Sequence, residues 1–240
     1  MHQEACTTTE YTIADQERMQ AAQRYFQWQA RIAEAELGRR VLEVGCGVGN
    51  FSHHLGDRRL VVGIDVDENC VSRWQERFSG RSNYAGYLLN AESPEFCELK
   101  RHDVDSIACL NVLEHIEQDE KALRNMWEVL PPGGRVVLMV PAFESLYGEI
   151  DARLGHYRRY TQASLASVAE SAGFFLRRLK YMNFVGFFAW WANAKIFRRT
   201  AQSEDQIAFF DSYVVPILSR MEQWISPPVG QSIIATLEKR

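Results

Sequence analysis

Residues 41–50 read Val-Leu-Glu-Val-Gly-Cys-Gly-Val-Gly-Asn, and this stretch decides the fold. A short apolar run, predicted as a strand over 39–44, is followed by three glycines at alternate positions. Glycine has no Cβ, so such a turn can adopt positive φ and bring its backbone N–H groups close to a ligand. We expect a strand, a ligand-binding turn and a helix containing residues 51–55, whose N-terminus would favour a carboxylate.

The chain on either side of this turn alternates between strands and helices. After the first strand we expect parallel strands at 60–64, 84–89, 106–111 and 135–140, with helices at 68–78, 94–100 and 117–130. A helix at 161–172 and strands at 174–182 and 230–239 complete the pattern. It predicts an α/β fold: a Rossmann-like, doubly wound, seven-stranded sheet with an antiparallel last strand and an inserted helical cap.

Four segments follow from this arrangement. They are an N-terminal helical segment (1–38, with a helix over 14–37), a cofactor-binding core (39–182), an aromatic-rich helical cap (183–229) and the final strand (230–240).

Composition narrows the class of protein. The net charge of −4 over 240 residues provides no positive field for nucleic acid, so we expect no nucleic-acid partner. Five cysteines without a C-x-x-C pair argue against a disulfide framework or a zinc site, and we expect them to be reduced and buried. The polar first residues do not resemble a secretory signal, and the longest late uncharged stretch, 181–194, is too short to span a bilayer. A cytoplasmic location is expected.

Three residues around the turn, Glu43, Asn50 and Asp65, bear on the kind of cofactor, and the glycine spacing at Asn50 distinguishes it from a dinucleotide. Asp65 ends the second strand, where a carboxylate can accept hydrogen bonds from ribose hydroxyls, although it could equally cap a helix. Asn50 stands where a dinucleotide-binding turn requires its third glycine, so the turn favours a ligand without a pyrophosphate. Glu43, just before the glycines, is placed to engage a positively charged end of that ligand.

The turn, with Gly-Ile-Asp at 63–65, Asn-Val-Leu-Glu-His-Ile at 111–116 and Leu-Pro-Pro-Gly-Gly at 130–134, resembles class I S-adenosylmethionine-dependent methyltransferases. The resemblance covers 39–182. Segments 140–148 and 155–161 are similar to the ubiquinone-biosynthesis O-methyltransferases and related small-molecule methyltransferases. The resemblance to class I methyltransferases implies S-adenosyl-L-methionine as cofactor and S-adenosyl-L-homocysteine as product.

The resemblance also implies where the cofactor lies. Gly45, Cys46, Gly47 and Gly49 would hold its methionine part, Asp65 with Val66 its ribose, Asn90 with Ala91 its adenine, and Asn111 with Val112 would lie near its methyl group. Asn90 stands where the family often has aspartate. Asn111 could also simply terminate its strand.

Residues after the fourth and fifth strands are candidates for the chemistry. We expect His115 and His156 to rim the carboxyl edge of the sheet, where either could act as a general base for a hydroxyl acceptor. Tyr157, Arg158, Arg159 and Tyr160 are candidate substrate residues. The two arginines could clamp an anionic group, or pin the loop to acids such as Glu149 and Asp151, and we favour pinning for one of them.

Several alternatives stay open. Some relatives bind a divalent metal through E-x-x-E-H and a later histidine; here Asn111 replaces the first acid, so Glu114, His115 and His156 would form an incomplete site, which we do not favour. The cap at 183–229 could cover the active site, meet a membrane surface or form a homodimer interface. The predicted activity is methylation, by preference O-methylation, of a small apolar or ring-containing acceptor. Its rivals are an NAD(P)-dependent oxidoreductase and a non-catalytic assembly partner.

Overall fold

A computed structural model describes Met19, residues 21–193 and residues 204–240. The strands are β1 (Arg40–Val44), β2 (Leu60–Asp65), β3 (Tyr84–Leu88), β4 (Ser106–Leu110), β5 (Arg135–Pro141), β6 (Phe175–Met182) and β7 (Ser232–Glu238). The α-helices are α1 (Gln23–Glu34), α2 (Glu68–Arg77), α3 (Asp119–Val129), α4 (Glu149–Arg153), α5 (Gln162–Ser171), α6 (Phe184–Ala192), α7 (Glu204–Phe209) and α8 (Val215–Met221). A π turn, Phe210–Val214, joins α7 to α8, and 3₁₀ segments lie at Ser52–Leu55, Pro94–His102, Leu113–His115 and Glu144–Leu146.

The strands form one seven-stranded sheet in the order β3-β2-β1-β4-β5-β7-β6. All neighbours pair in parallel except β7, which is antiparallel to both β5 and β6. The strand order reverses direction between β1 and β4, and ligands of such sheets bind beyond the carboxyl ends of the strands at this reversal. The predicted fold is confirmed.

Two apolar layers sandwich the sheet. Successive strand residues point to opposite faces, so Leu42 packs in one layer and its neighbour Val41 in the other. Side chains from α3 and α5 complete the first layer, and side chains from α1, α2 and α8 complete the second. Helices therefore cover both faces, as the doubly wound prediction requires. Thr161 caps α5 as the sequence predicts, because its hydroxyl accepts from the backbone N–H of Ser164 at 3.0 Å.

Three predicted helices differ from the structure. The segment after the glycine turn is only a 3₁₀ turn, Ser52–Leu55, because Gly49 and Gly56 bracket it and glycine disfavours a helix interior. The expected helix N-terminus is therefore missing from the described turn, and the backbone of the turn itself must face a ligand. The predicted helix at 94–100 is 3₁₀ over Pro94–His102. The first helix is α1, Gln23–Glu34, rather than 14–37; positions 14–18 and 20 lie outside the described residues.

The described part of the insertion between β6 and β7 is helical, and two buried carboxylates anchor it. Glu222 accepts from the backbone N–H groups of Asn183 (3.0 Å) and Phe184 (2.9 Å), which begin α6. Asp211 accepts from the N–H of Arg24 (3.2 Å) and of Tyr25 (2.8 Å), which begin α1. The insertion is therefore fixed both to the end of β6 and to the N-terminal helix.

The expectation of buried cysteines is correct for three of the described thiols and wrong for one. Cys46, Cys70 and Cys109 are buried, whereas Cys97 is exposed on the outer side of its 3₁₀ segment. Cys6 lies outside the described residues. Within those residues, no helix combines the length and apolarity needed to cross a bilayer.

Candidate functional site

A cavity of about 1100 Å³ lies at the carboxyl ends of the parallel strands. One side, the cofactor half, is formed by turns after β1, β2, β3 and β4, including Glu43, Gly45, Gly47, Asp65, Ala91 and Val112. The other side, the acceptor chamber, is formed by α1 and the insertion, including Tyr25, Gln29, Gly186, Ala189, Trp190 and Val214. His115, His156 and Tyr157 also line the cavity. It is large enough for a cofactor and a second small molecule.

The glycine turn has the predicted backbone form. Gly45, Gly47 and Gly49 have φ of +72°, +50° and +82°. A Cβ on Gly45 would strike the side chain of Val112, so this position also requires glycine on steric grounds. Gly45, Cys46 and Gly47 line the cavity, whereas Gly49 packs against Phe78 and is absent from the lining. The turn thus presents its first half to a ligand.

Glu43 is a buried carboxyl at the floor of the cofactor half. Its oxygen accepts a hydrogen bond from the hydroxyl of Ser52, which in turn accepts from the indole N–H of Trp74 at 2.6 Å. Burial raises the pKa of Glu43 to about 8. A cation placed beside it would relieve this penalty, because an opposite charge favours the ionised form. The arrangement suits the ammonium group of an amino-acid ligand.

Asp65, at the end of β2, is hydrogen-bonded to the glycine turn that follows β1. Its carboxylate accepts from the N–H of Gly47 at 2.8 Å and from that of Asp67 at 3.1 Å, and burial raises its pKa. The next residue, Val66, lines the cavity although it is 68% exposed. A carboxylate held in this way is fixed in orientation and keeps lone pairs for ribose hydroxyls.

The remaining predicted cofactor residues follow β3 and β4 and also line the cavity. The side-chain oxygen of Asn90 accepts from the N–H of Glu92 at 2.8 Å, which orients the amide beside Ala91. Asn111 has φ of +56°, and Asn tolerates this left-handed conformation better than most residues. The strand end thereby turns Val112 toward the glycine turn. The geometry brings together every predicted cofactor position except Gly49.

A cluster of the buried Glu114, the partly buried His156 and the exposed His115 lies beside the cavity. One potential ligand atom from each residue lies within 4.8 Å of the other two, and the two imidazoles meet edge to face with centroids 4.5 Å apart. Burial raises the pKa of Glu114 to about 7. Burial, with the neighbouring His156, lowers the pKa of His115 to about 4. Glu114 Oε2 has no hydrogen-bond partner among the described residues.

His156 is held by Asp151, in α4, whose Oδ1 lies 2.9 Å from its Nδ1. The same oxygen accepts from Nε and Nη2 of Arg159, both at 2.8 Å. Burial opposes ionisation of Asp151, but the hydrogen bonds to His156 and Arg159 outweigh it and lower the pKa of this carboxyl. Arg159 therefore pins the loop to Asp151, which is one of the two acids expected in this role.

Two of the candidate substrate residues point away from the cavity. Arg158 pairs with Asp119 at 2.7 Å, and the buried Tyr160 hydroxyl donates to the same carboxylate at 2.8 Å. Neither lines the cavity, whereas Arg159 and the half-exposed Tyr157 do. Both arginines anchor the loop. Because Tyr157 and Arg159 line the cavity, these two are retained as candidates for contact with an acceptor.

Tyr25 and Gln29, one turn apart on α1, also line the cavity, although no sequence motif contains them. The Tyr25 phenol is hydrogen-bonded to Gln29 and to Ser232, and burial raises its pKa. Gln29 is 1% exposed, and its amide nitrogen lies 3.3 Å from the thioether sulfur of Met139. A glutamine on the apolar face of an amphipathic helix was the available signal, because buried polar residues require a partner.

Comparison with known proteins agrees with this geometry. Residues 16–179 match the family described as methyltransferase domain. A probable S-adenosylmethionine-dependent methyltransferase of Mycolicibacterium smegmatis is 30% identical over 147 residues, which cover 60% of this chain and 55% of the relative. The ubiquinone/menaquinone biosynthesis C-methyltransferase UbiE of Shewanella frigidimarina is 33% identical over 115 residues, 45% of each chain. These matches span about half the length of either relative.

A solved S-adenosylmethionine-dependent methyltransferase of Thermotoga maritima has the same fold, with a TM-score of 0.65 and 16% identity over 97% of this chain and 98% of its own. The family match covers more than half of the chain and includes the glycine turn, Asp65 and the strand ends around the cofactor half. The chain therefore belongs to the methyltransferase-domain family, as a class I, S-adenosylmethionine-dependent member.

Proposed function

We propose that the protein transfers a methyl group from S-adenosylmethionine to a hydroxyl of a small apolar or ring-containing acceptor. The observation that carries this proposal is the divided cavity. A glycine turn with the buried Glu43 and the partly buried Asp65 forms one half, an apolar chamber forms the other, and two histidines lie on its wall. O-methylation is favoured because a neutral hydroxyl must lose a proton and an imidazole is placed to receive it.

In the proposed complex the backbone at 45–47 holds the methionine part and Glu43 its ammonium group. Asp65 accepts from the ribose hydroxyls, Asn90 and Ala91 contact the adenine, and Asn111 and Val112 lie near the methyl group. This order follows the positions of the strand ends along the cavity wall. These residues would hold the cofactor with its methyl-bearing end beside the acceptor chamber.

The reaction is an in-line displacement. An acceptor oxygen forms a bond to the methyl carbon, the carbon–sulfur bond breaks, and sulfur keeps the electron pair as S-adenosylhomocysteine. The acceptor proton passes to His156, with His115 as the second candidate. Alignment of oxygen, carbon and sulfur contributes most, up to roughly 7–11 kcal/mol, and a positioned base adds typically about 10²–10⁴-fold.

A divalent metal at Glu114, His115 and His156 is the alternative use of the same cluster. The 4.8 Å grouping and the unpartnered Glu114 oxygen favour it. The donor set contains one carboxylate and two imidazoles, which suits a transition metal better than Mg²⁺, since Mg²⁺ prefers oxygen ligands. Because Asn111 stands where metal-binding relatives have their first acid, the site lacks that anionic ligand, and we keep the metal-independent mechanism as the proposal.

The proposed partners are the acceptor and, through the insertion, a membrane surface or a second copy of the chain. Apolar side chains of the insertion stand 39–88% exposed, including Val185, Phe188, Trp191, Phe209, Tyr213 and Trp224. Exposed apolar patches of this kind mark interaction sites. We keep the cytoplasm as the proposed location.

Two measurements test the proposal. Calorimetry should show 1:1 binding of S-adenosylhomocysteine and no binding of NAD. A radiolabelled methyl-transfer assay on phenolic, amine and carbon-acid acceptors should show label in phenolic products. Transfer only to an amine or to carbon would contradict O-methylation, and cofactor binding without transfer to any acceptor would favour a non-catalytic role.

A further inference from the structure

Asp151 makes contacts that exceed what a loop anchor needs. Its side chain is fully buried, and its two oxygens accept from three groups: His156 and Arg159 at Oδ1, and the backbone N–H of Gly148 at Oδ2, 3.0 Å away. The bonds to His156 and Arg159 lower the pKa of this carboxyl and so favour its ionised form. An ionised carboxylate can only accept hydrogen bonds.

This property determines where the proton of His156 lies. Nδ1 of a neutral His156 must carry the hydrogen in order to bond to Asp151 at 2.9 Å. The tautomer of a histidine is set by the bond that one ring nitrogen makes, so Nε2 then keeps its lone pair. The side chain is only 8% exposed and lines the cavity, so that lone pair is shielded from bulk water.

Arg159 and Trp190 hold the carboxylate in place. Two guanidinium nitrogens of Arg159 contact Asp151 Oδ1, and Nη1 donates to the carbonyl of Ala142 at 3.1 Å. The guanidinium also lies over the indole of Trp190, 4.8 Å from its centroid. Trp190 belongs to α6. The insertion is therefore linked to His156 through the guanidinium of Arg159 and the carboxylate of Asp151.

We propose that Asp151, braced by Arg159 and Trp190, is a positioning residue that holds His156 as the Nδ1–H tautomer and leaves Nε2 free to take the acceptor proton. The inference rests on the proposed function of His156 as the base. It adds a role for the insertion: Trp190 is part of the apparatus that orients this base as well as a wall of the acceptor chamber.

The first test needs no acceptor. Protein labelled with ¹⁵N-histidine and saturated with S-adenosylhomocysteine is examined by long-range ¹H–¹⁵N NMR at a pH where His156 is neutral. The wild type should show a protonated Nδ1 and an unprotonated Nε2 for His156, with His156→Gln identifying the signal. A wild type that carries its proton on Nε2 overturns the inference, whether or not any variant folds.

Two matched pairs of variants locate the cause. Asp151→Ala should shift the His156 proton toward Nε2, because no acceptor for the Nδ1 hydrogen remains, whereas Asp119→Ala, which loosens the same loop through Arg158, should leave it in place. Trp190→Ala should give a mixture of tautomers, and the adjacent, half-exposed Trp191→Ala should not. Equal effects of Asp151→Ala and Asp119→Ala would reduce Asp151 to a loop anchor.

Turnover separates this inference from the proposed function. Asp151→Ala should lower kcat about 10²-fold or more with KM and cofactor affinity near wild type, since the wrong tautomer of a base histidine is costly. An altered tautomer with unchanged kcat contradicts His156 as the base and leaves the tautomer assignment standing. An unaltered tautomer with reduced kcat contradicts the positioning role and leaves the base standing.

Discussion

The two halves of the cavity are built in different ways. The cofactor half comes from successive strand ends between residues 43 and 112, and each contributes one or two residues after a buried strand. The acceptor chamber joins α1 to the insertion, and its fastening bond, Tyr25 N–H to Asp211, spans 186 residues. One half therefore depends on local backbone conformation, and the other on long-range packing. We expect substitutions in the first to change cofactor affinity and those in the second to change turnover.

The largest effect should come from His156→Ala, at the border between the halves. Removing the base should lower turnover about 10²-fold or more, while the affinity for S-adenosylhomocysteine stays within about twofold of wild type. Single-turnover kinetics and calorimetry measure the two quantities. His115→Ala should cost less, because no carboxylate among the described residues is hydrogen-bonded to His115 in the way that Asp151 is to His156.

Two results would contradict that assignment. If both histidine variants are inactive and Zn²⁺, Mn²⁺ or Mg²⁺ partly restores either one, the metal alternative is supported. If neither variant changes turnover between about pH 6 and 9, the acceptor requires no deprotonation by the protein.

Glu43→Gln should separate stability from binding within the cofactor half. The pKa of Glu43 is about 8 in the folded protein, against an ordinary value of 4.5, so between these values the unfolded chain binds fewer protons and stability falls as pH rises. Glu43→Gln has no ionisable group at this position and does not lose stability in this way as pH rises. Its melting temperature should exceed that of wild type at pH 8 and converge with it near pH 5.

The same variant should bind S-adenosylhomocysteine about 10–100-fold more weakly, because a hydrogen bond to a charged group contributes about 1.5–3 kcal/mol. Ser52→Ala is the companion variant, since it removes the hydroxyl that bonds to Glu43 and leaves the charge. Equal affinities of wild type and Glu43→Gln at pH 7 to 8 would place Glu43 outside the cofactor contact.

Asp65→Ala should weaken cofactor binding by about 1–3 kcal/mol, the cost of leaving ribose hydroxyls without their partner. Turnover at saturating cofactor should stay near wild type. Asp67→Ala provides the control: its carboxylate caps α2 by accepting from the N–H of Asn69, so its loss should lower stability by about 1 kcal/mol and spare affinity. Similar affinity losses in both variants would assign Asp65 a structural role only.

The smallest effect should come from Tyr160→Phe. The hydroxyl bonds to Asp119 and lies away from the cavity, so its removal should destabilise the protein by about 1 kcal/mol in urea unfolding. The KM for an acceptor should not change. A raised KM would return Tyr160 to the list of substrate residues.

The sequence predicted the half of the site that local rules determine. Alternating glycines require positive φ, and an acid after a parallel strand lies at the sheet edge, so Gly45, Gly47 and Asp65 followed from spacing alone. The parallel, doubly wound sheet followed from strand–helix alternation, whereas the order of its strands came only from the structure. Gly49 shows the limit of prediction from a motif. It belongs to the glycine motif, but it packs against Phe78 and does not line the cavity.

The acceptor chamber could not be predicted in the same way. Tyr25 and Gln29 line it only because α1 packs across the sheet edge opposite Val214 and Trp190, and no short motif encodes that contact. Arg158 and Arg159 are adjacent and identical in type, and only the positions of Asp119 and Asp151 give them different partners. The segments after β1 and β3 form 3₁₀ turns where the sequence predicts helices. Segment length and the bracketing residues determine this outcome more than the hydrophobic period does.

The position of β7 bears on how the chain is made. Because β7 lies between β5 and β6, β6 cannot join the sheet until the ribosome has released residues 232–238. Strands β1 to β5 already pair with one another, so the cofactor half can assemble while synthesis continues. A stalled or nicked nascent chain that lacks β7 would thus retain the surface for S-adenosylmethionine with an unpaired edge on β5. Such an edge invites association with other strands.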